Sequence, residues 1–124
     1  EFAKEATKKL FAPLNVDLFR DKVELAQRIS TTTPQQGIIA ALEGMKVRKS
    51  REVVLRNSTY PVLFIAGKLD ITIPFDRIKP LFSVAKNTYV QSLESAAHMG
   101  FFEAEMETTR ATKKFARVCF RTPF

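Results

Sequence analysis

The chain has 124 residues, 45% of them hydrophobic, with 11 Phe, 4 Gly and 6 Pro, a composition that fits one globular domain with a real core and excludes a collagen-like or disordered polymer. Its 20 Lys and Arg against 13 Asp and Glu give a net charge of +7, which invites a nucleic-acid or anionic-membrane reading. The basic residues are spread along helical faces, with one short block at Lys46, Arg48, Lys49 and Arg51, so neither nucleic acid nor membrane is the expected partner.

Residues 3 to 11 are good helix formers, and Pro13 ends the helix they predict because it lacks a donor and clashes with the preceding turn. From Asp17 onward Phe19, Val23, Ala26 and Ile29 recur at helical spacing, with Arg20, Asp21, Lys22, Glu24 and Gln27 facing away. That stripe predicts an amphipathic helix of about three turns. Thr33 is the expected N-cap of a further helix, with Pro34 at its first position and Ile38, Leu42 and Met45 in line along it, flanked by Ile39 and Ala41. Ser50 is placed to cap a short helix over Arg51 to Arg56, with Val53, Val54 and Leu55 as its buried side.

At Pro61 the character changes. Val62-Leu63-Phe64-Ile65-Ala66, closed by Gly67, predicts a strand buried on both faces and paired along both edges. Ile71 to Pro74 lead into a helical segment reaching about Ala85, irregular because Pro80 lies inside it, and Asn87 marks its stop. Thr88 to Leu93 predicts a second strand of mixed faces, suited to a sheet edge. Strand, helix and strand over this length predict a right-handed βαβ unit of parallel strands. The closing helix sets Ala111, Phe115, Val118 and Cys119 on one face and Arg110, Lys113, Lys114 and Arg117 on the other.

The expected class is therefore α/β: helices over residues 1–57, then a βαβα part over 58–124. A strand as apolar as Val62 to Ala66 asks for a partner on each side, and this chain supplies one, so an N-terminal half of the fold is expected as a missing partner, and the isolated chain is expected to hide its open edge by self-association or domain exchange. The chain opens Glu1-Phe2-Ala3-Lys4 without Met, as an excised piece would. Neither a membrane-length apolar run nor a signal-peptide pattern occurs. The single cysteine, Cys119, builds no disulfide framework, reads as a small core residue, and points to a reducing compartment such as the cytoplasm.

Two residues carry the chemistry. Asp70 follows the first strand and His98 follows the second, which sets both at the carboxyl edge of a parallel sheet, where α/β proteins place their sites. A carboxylate bonded to one imidazole nitrogen fixes the tautomer and leaves the other nitrogen as a general base. The plainer alternative has Asp70 capping its own turn and His98 satisfied within its loop. One histidine and one cysteine make no structural zinc site, and no cofactor is implied. Met99 and Phe101, with Phe102, are candidates to line an acyl pocket, against the simpler reading that they are core. Glu103 is expected to cap the last helix or to hold the histidine loop, without a part in catalysis.

Taken together, Pro61 to Asp70, Ile73-Pro74 and Ala97-His98-Met99-Gly100-Phe101-Phe102-Glu103 resemble the C-terminal portion of an α/β-hydrolase-fold enzyme. The resemblance covers residues 61 to about 118, and it implies that the helices before Pro61 are lid helices and the last crossover helix. It makes Asp70 of the Gly67-Lys68-Leu69-Asp70 turn the triad acid and His98 the base. The implied activity is hydrolysis of an ester, amide or related bond of a small-molecule substrate by a Ser-His-Asp type mechanism. Ala97 stands where Gly often precedes the histidine, and Glu105 where Pro is frequent; neither touches mechanism. No G-x-S-x-G occurs, none of Ser30, Ser50, Ser58, Ser83, Ser92 and Ser95 carries the elbow pattern, and the oxyanion donors are missing too, so this chain supplies acid and base but no nucleophile. The competing reading, from another class, is a non-catalytic basic α/β binding module.

Overall fold

The computed structural model describes residues 2–120; Glu1 and residues 121–124, the outer ends of the two expected parts, lie outside the described residues. Five helices come first: α1 (Phe2–Lys8), α2 (Asn15–Leu18), α3 (Arg20–Thr32), α4 (Gln35–Val47) and α5 (Glu52–Arg56). The helix expected from residue 3 ends at Lys8, ahead of Pro13. The helix expected from Asp17 is two helices, because the chain bends at Phe19, with φ −111° and ψ 40°.

Val23 and Ala26 of the α3 stripe are buried and Phe19 is half-buried, whereas Ile29 at its end is exposed. The stripe packs on α1 and on the segment after it. Gln27 Nε2 donates to the Lys4 carbonyl at 3.1 Å, and the Thr7 hydroxyl, which donates to the Ala3 carbonyl at 2.7 Å, lies 3.1 Å from Ser30 Oγ. Phe11, Val23 and Ala26 form a buried cluster with Leu10, Val16, Met99 and Phe102 packed around it. The Phe11 and Phe102 rings lie nearly parallel, 6.4 Å apart. Burying a side chain the size of Phe11 is worth about 1.5–3 kcal/mol, so this cluster is what joins the first helices to the segment after the second strand.

Thr33 does not cap α4. Its hydroxyl turns back to the Ile29 carbonyl at 2.7 Å, as those of Thr31 and Thr32 do to Gln27 and Arg28, so three consecutive threonines finish α3 and Pro34 takes the N-cap position of α4. Ser50 keeps part of its expected role: its Oγ accepts from Glu52 N at 3.4 Å. The burial expected for α5 is not found, since Val53 and Val54 are exposed and only Leu55 is half-buried. α4 is bare as well, with Ile38, Ile39, Leu42 and Met45 all exposed. The physical reason is shared: each helix has an apolar side, and among the described residues little lies against that of α5 beyond Leu55 and nothing covers that of α4.

The sheet has two parallel strands, β1 (Val62–Gly67) and β2 (Thr88–Leu93), in register from Val62 opposite Thr88 to Gly67 opposite Leu93. Both match the sequence expectation to within a residue. With one hydrogen-bonded neighbour among the described residues, β1 is half-buried from Val62 to Ile65 and fully buried only at Ala66 and Gly67, short of the two-sided burial expected of it. The crossover holds α6 (Phe75–Ile78), which tightens into a 3-10 turn over Lys79–Ser83 where Pro80 supplies no N–H. Phe82 from that turn meets Phe64 of β1 at 5.0 Å and Phe75 at 5.8 Å, which seats the crossover on the strand.

After β2 a turn leads through Ala96 and Ala97 to His98, then α7 (Gly100–Glu103) and α8 (Glu105–Phe120). Ala111, Phe115 and Cys119 lie half-buried along the inner side of α8, Val118 is exposed, and the Phe115 ring stands edge-on to Tyr89 of β2 at 5.6 Å. No described helix is long and apolar enough to cross a membrane.

Candidate active site

The parallel register delivers the carboxyl ends of β1 and β2 side by side, and the two loops leaving them are stitched together. Lys68 N donates to the Leu93 carbonyl at 2.9 Å and Leu69 N to the Ala96 carbonyl at 3.0 Å. Gly67 is required there: a Cβ at that position would stand 2.1 Å from the Ala97 carbonyl oxygen and 2.6 Å from that of Ala96. The absence of a side chain lets the histidine loop cross directly over the end of β1.

This crossing sets Asp70 against His98. Asp70 Oδ2 lies 2.8 Å from His98 Nδ1, while Asp70 Oδ1 accepts from Thr72 N at 2.8 Å and Ile73 N at 2.9 Å. The carboxylate therefore caps its own turn with one oxygen and engages the imidazole with the other. The Asp70 side chain is 10% exposed and that of His98 34%, so the acid is sheltered and the ring reaches the surface. No hydrogen bond engages His98 Nε2 among the described residues.

The backbone around the ring is pinned from a distance. His98 N and Met99 N both donate to the Leu10 carbonyl, at 2.9 and 3.2 Å. Glu103, buried, accepts from Ala97 N at 2.9 Å through Oε1, and from Ala12 N and Asn15 Nδ2 through Oε2, both at 2.7 Å. Asn15 Nδ2 also donates to the Ser95 carbonyl at 2.8 Å. Of the two roles expected for Glu103, it takes the second and holds the histidine loop. Asn15 and Leu10 were not singled out in the sequence, and a polar Asn15 just ahead of an amphipathic helix was the one available signal.

A cleft of about 380 Å³ opens at this edge, lined by Asp70, His98, Gly67, Ala97 and Gly100 together with Ile65, Ile73, Ile78, Leu93, Phe101 and Thr108. Phe101, 53% exposed, borders it. Met99 does not; its side chain packs with Phe11, Val23 and Ala26 on the other side of the loop. The one hydroxyl on the cleft wall, that of Thr108, donates to the Gly100 carbonyl at 3.1 Å, and no serine lines the space. Among the described residues no group of three or more His, Cys, Asp or Glu is placed to hold a metal ion.

No family model and no curated protein matches the chain. Solved structures do. An esterase from Thermogutta terrifontis, solved with malate bound, superposes with a TM-score of 0.89 at 19% identity, over 95% of this chain and 43% of that one. An esterase from Exiguobacterium antarcticum gives 0.78 at 16% identity, over 93% and 41%, and a bromoperoxidase from Bacillus anthracis gives 0.81 at 20%, over 94% and 43%. The chain thus spans less than half the length of each. All three have the α/β-hydrolase fold, and the described residues are built as its C-terminal half.

Proposed function

We propose that this chain carries the acid and the base of a hydrolase of the α/β-hydrolase fold, Asp70 and His98, and that the nucleophile and oxyanion donors come from the other half of that fold. The observation that supports it is the 2.8 Å approach of Asp70 Oδ2 to His98 Nδ1 at the rim of an apolar cleft, with the opposite ring nitrogen unengaged. With Nδ1–H donated to Asp70, Nε2 is the basic nitrogen. It takes the proton of an attacking serine hydroxyl as the acyl carbon is bonded, and the imidazolium returns that proton to the leaving oxygen or nitrogen. Asp70 stays ionised, holds the tautomer and stabilises the charged ring. Ile73, Ile78 and Phe101 offer the acyl part of a small substrate an apolar surface, and the esterase neighbours favour esters within the wider class.

The test is hydrolysis of short aryl esters by the whole polypeptide that contains this chain. His98→Ala is expected to lower turnover by several decades with folding intact. Near-normal hydrolysis in that variant would remove His98 from the reaction and leave the basic binding module as the reading to pursue.

A further inference from the structure

We propose that Glu103 and Asn15 are positioning residues for His98, setting the place and tautomer of its ring by locking the loop that bears it. The proposal rests on the reading of His98 as the base for its catalytic meaning, and on geometry alone for the placement.

A carboxylate that is 7% exposed is costly unless its oxygens are filled with donors. Glu103 meets that condition with three N–H groups, and none belongs to a lysine or arginine. Among the described residues no ion pair offsets its burial; the gain lies in which groups are joined. Ala97 N is the peptide nitrogen directly before His98, while Ala12 N and Asn15 Nδ2 belong to the segment between α1 and α3. Asn15, itself 8% exposed, repeats the connection from the other direction by donating to the Ser95 carbonyl as well as to Glu103. With Leu10 receiving His98 N and Met99 N, the backbone is fixed on both sides of the ring.

Gly67 lies against the same loop from the sheet side, so the loop is held between the strand end and the segment of residues 10–15. A shift of the loop by an ångström would take Nδ1 out of bonding range of Asp70 Oδ2, and a site that loose loses the tautomer on which the base depends. Glu103→Gln is a sharp probe, because it conserves volume but turns an amide NH2 toward one of the two donor sets, either Ala97 N or the pair from Ala12 and Asn15.

His98 is the only histidine of these 124 residues, so ring signals in long-range 1H–15N spectra of this chain belong to it and report its tautomer. The parent chain is expected to show the Nδ1–H form. Glu103→Gln and Asn15→Ala are each expected to lose that form to a mixture of both tautomers while still folded by circular dichroism. Should Glu103→Gln fail to fold, Asn15→Ala decides, since it leaves Glu103 its bonds to Ala12 N and Ala97 N. An unchanged Nδ1–H spectrum in the folded variants, however much less stable they are, would overturn the proposal and leave the clamp a structural one. In the whole hydrolase the same variants are expected to lower kcat with KM unchanged. The two readings separate cleanly: full turnover in His98→Ala would sink the catalytic role, while the ring spectra still judge the clamp.

Discussion

Asp70 divides its carboxylate between a turn and a ring: Oδ1 takes the N–H groups of Thr72 and Ile73, and Oδ2 sits 2.8 Å from Nδ1 of His98. The bonds that fold the loop are also those that aim the acid, so the two functions are separable only by substitutions that spare one oxygen.

Asp70→Asn spares it. The amide oxygen still accepts from Thr72 and Ile73, while the charge facing His98 is gone and an NH2 group faces a ring nitrogen that must then accept. On the proposed function, turnover by the whole polypeptide is expected to fall by about four decades with the thermal midpoint almost unmoved. Asp70→Ala loses both roles and is expected to cost a further 1–2 kcal/mol or so in chemical denaturation, at about 1 kcal/mol per bond lost. Equal stability of the two variants would show that the turn does not depend on the carboxylate.

Gly67→Ala introduces a Cβ where the nearest atoms are backbone oxygens of the histidine loop, which have no rotamer by which to escape. The expected loss is about 1–3 kcal/mol, the usual cost of overpacking, accompanied by displacement of His98 from Asp70. Gly100→Ala is the control: its nearest contact is the end of the Leu93 side chain at 2.6 Å, so it is expected to disturb the core and leave the ring tautomer in place. Denaturant midpoints and ring spectra measured on both variants check the pair.

Phe101 and Met99 are two residues apart in sequence but face different surroundings. Phe101→Ala removes a cleft-lining, half-exposed ring and is expected to change stability by less than about 0.5 kcal/mol while raising KM for longer acyl esters. Met99→Ala opens the cluster of Phe11, Val23 and Ala26 and is expected to cost about 2–5 kcal/mol. A stability loss in Phe101→Ala as large as in Met99→Ala would contradict the separation.

The uncovered side of α4 sets Ile38, Ile39, Leu42 and Met45 in water, and among the described residues β1 has a pairing neighbour along one edge only. Such a surface promotes association. Static light scattering of the chain by itself is expected to give a mass above 14.1 kDa, and Leu42→Lys with Met45→Lys to reduce it. A monomer at high concentration in the parent chain would dismiss this expectation.

Local pattern made much of this readable in advance. The β-branched and aromatic runs placed both strands, Pro80 announced the irregular crossover, and an acid after one strand with a histidine after the next located the pair that meets. Features that depend on encounter between distant parts left no periodic trace. Glu103 and Asn15 are one carboxylate and one amide, 88 residues apart, and neither composition nor spacing links them. Amphipathicity told which sides of α4 and α5 are apolar, but not that so little lies against them. Thr33 was misjudged because its hydroxyl serves the helix behind it as readily as the one ahead.

The separations of these contacts along the chain also bear on the order in which the molecule assembles. Asp70 and His98 close a loop of 28 residues, whereas Glu103 reaches Ala12 across 91. Closure entropy grows with the logarithm of length, so the longer closure is dearer by about 1 kcal/mol before any contact offsets it. The strands, Asp70 and His98 can therefore meet early, with the ring still swinging on an unfastened loop. Arrival of residues 10–15 would come late, and slow substitutions such as Asn15→Ala should then speed unfolding while leaving the folding rate almost untouched.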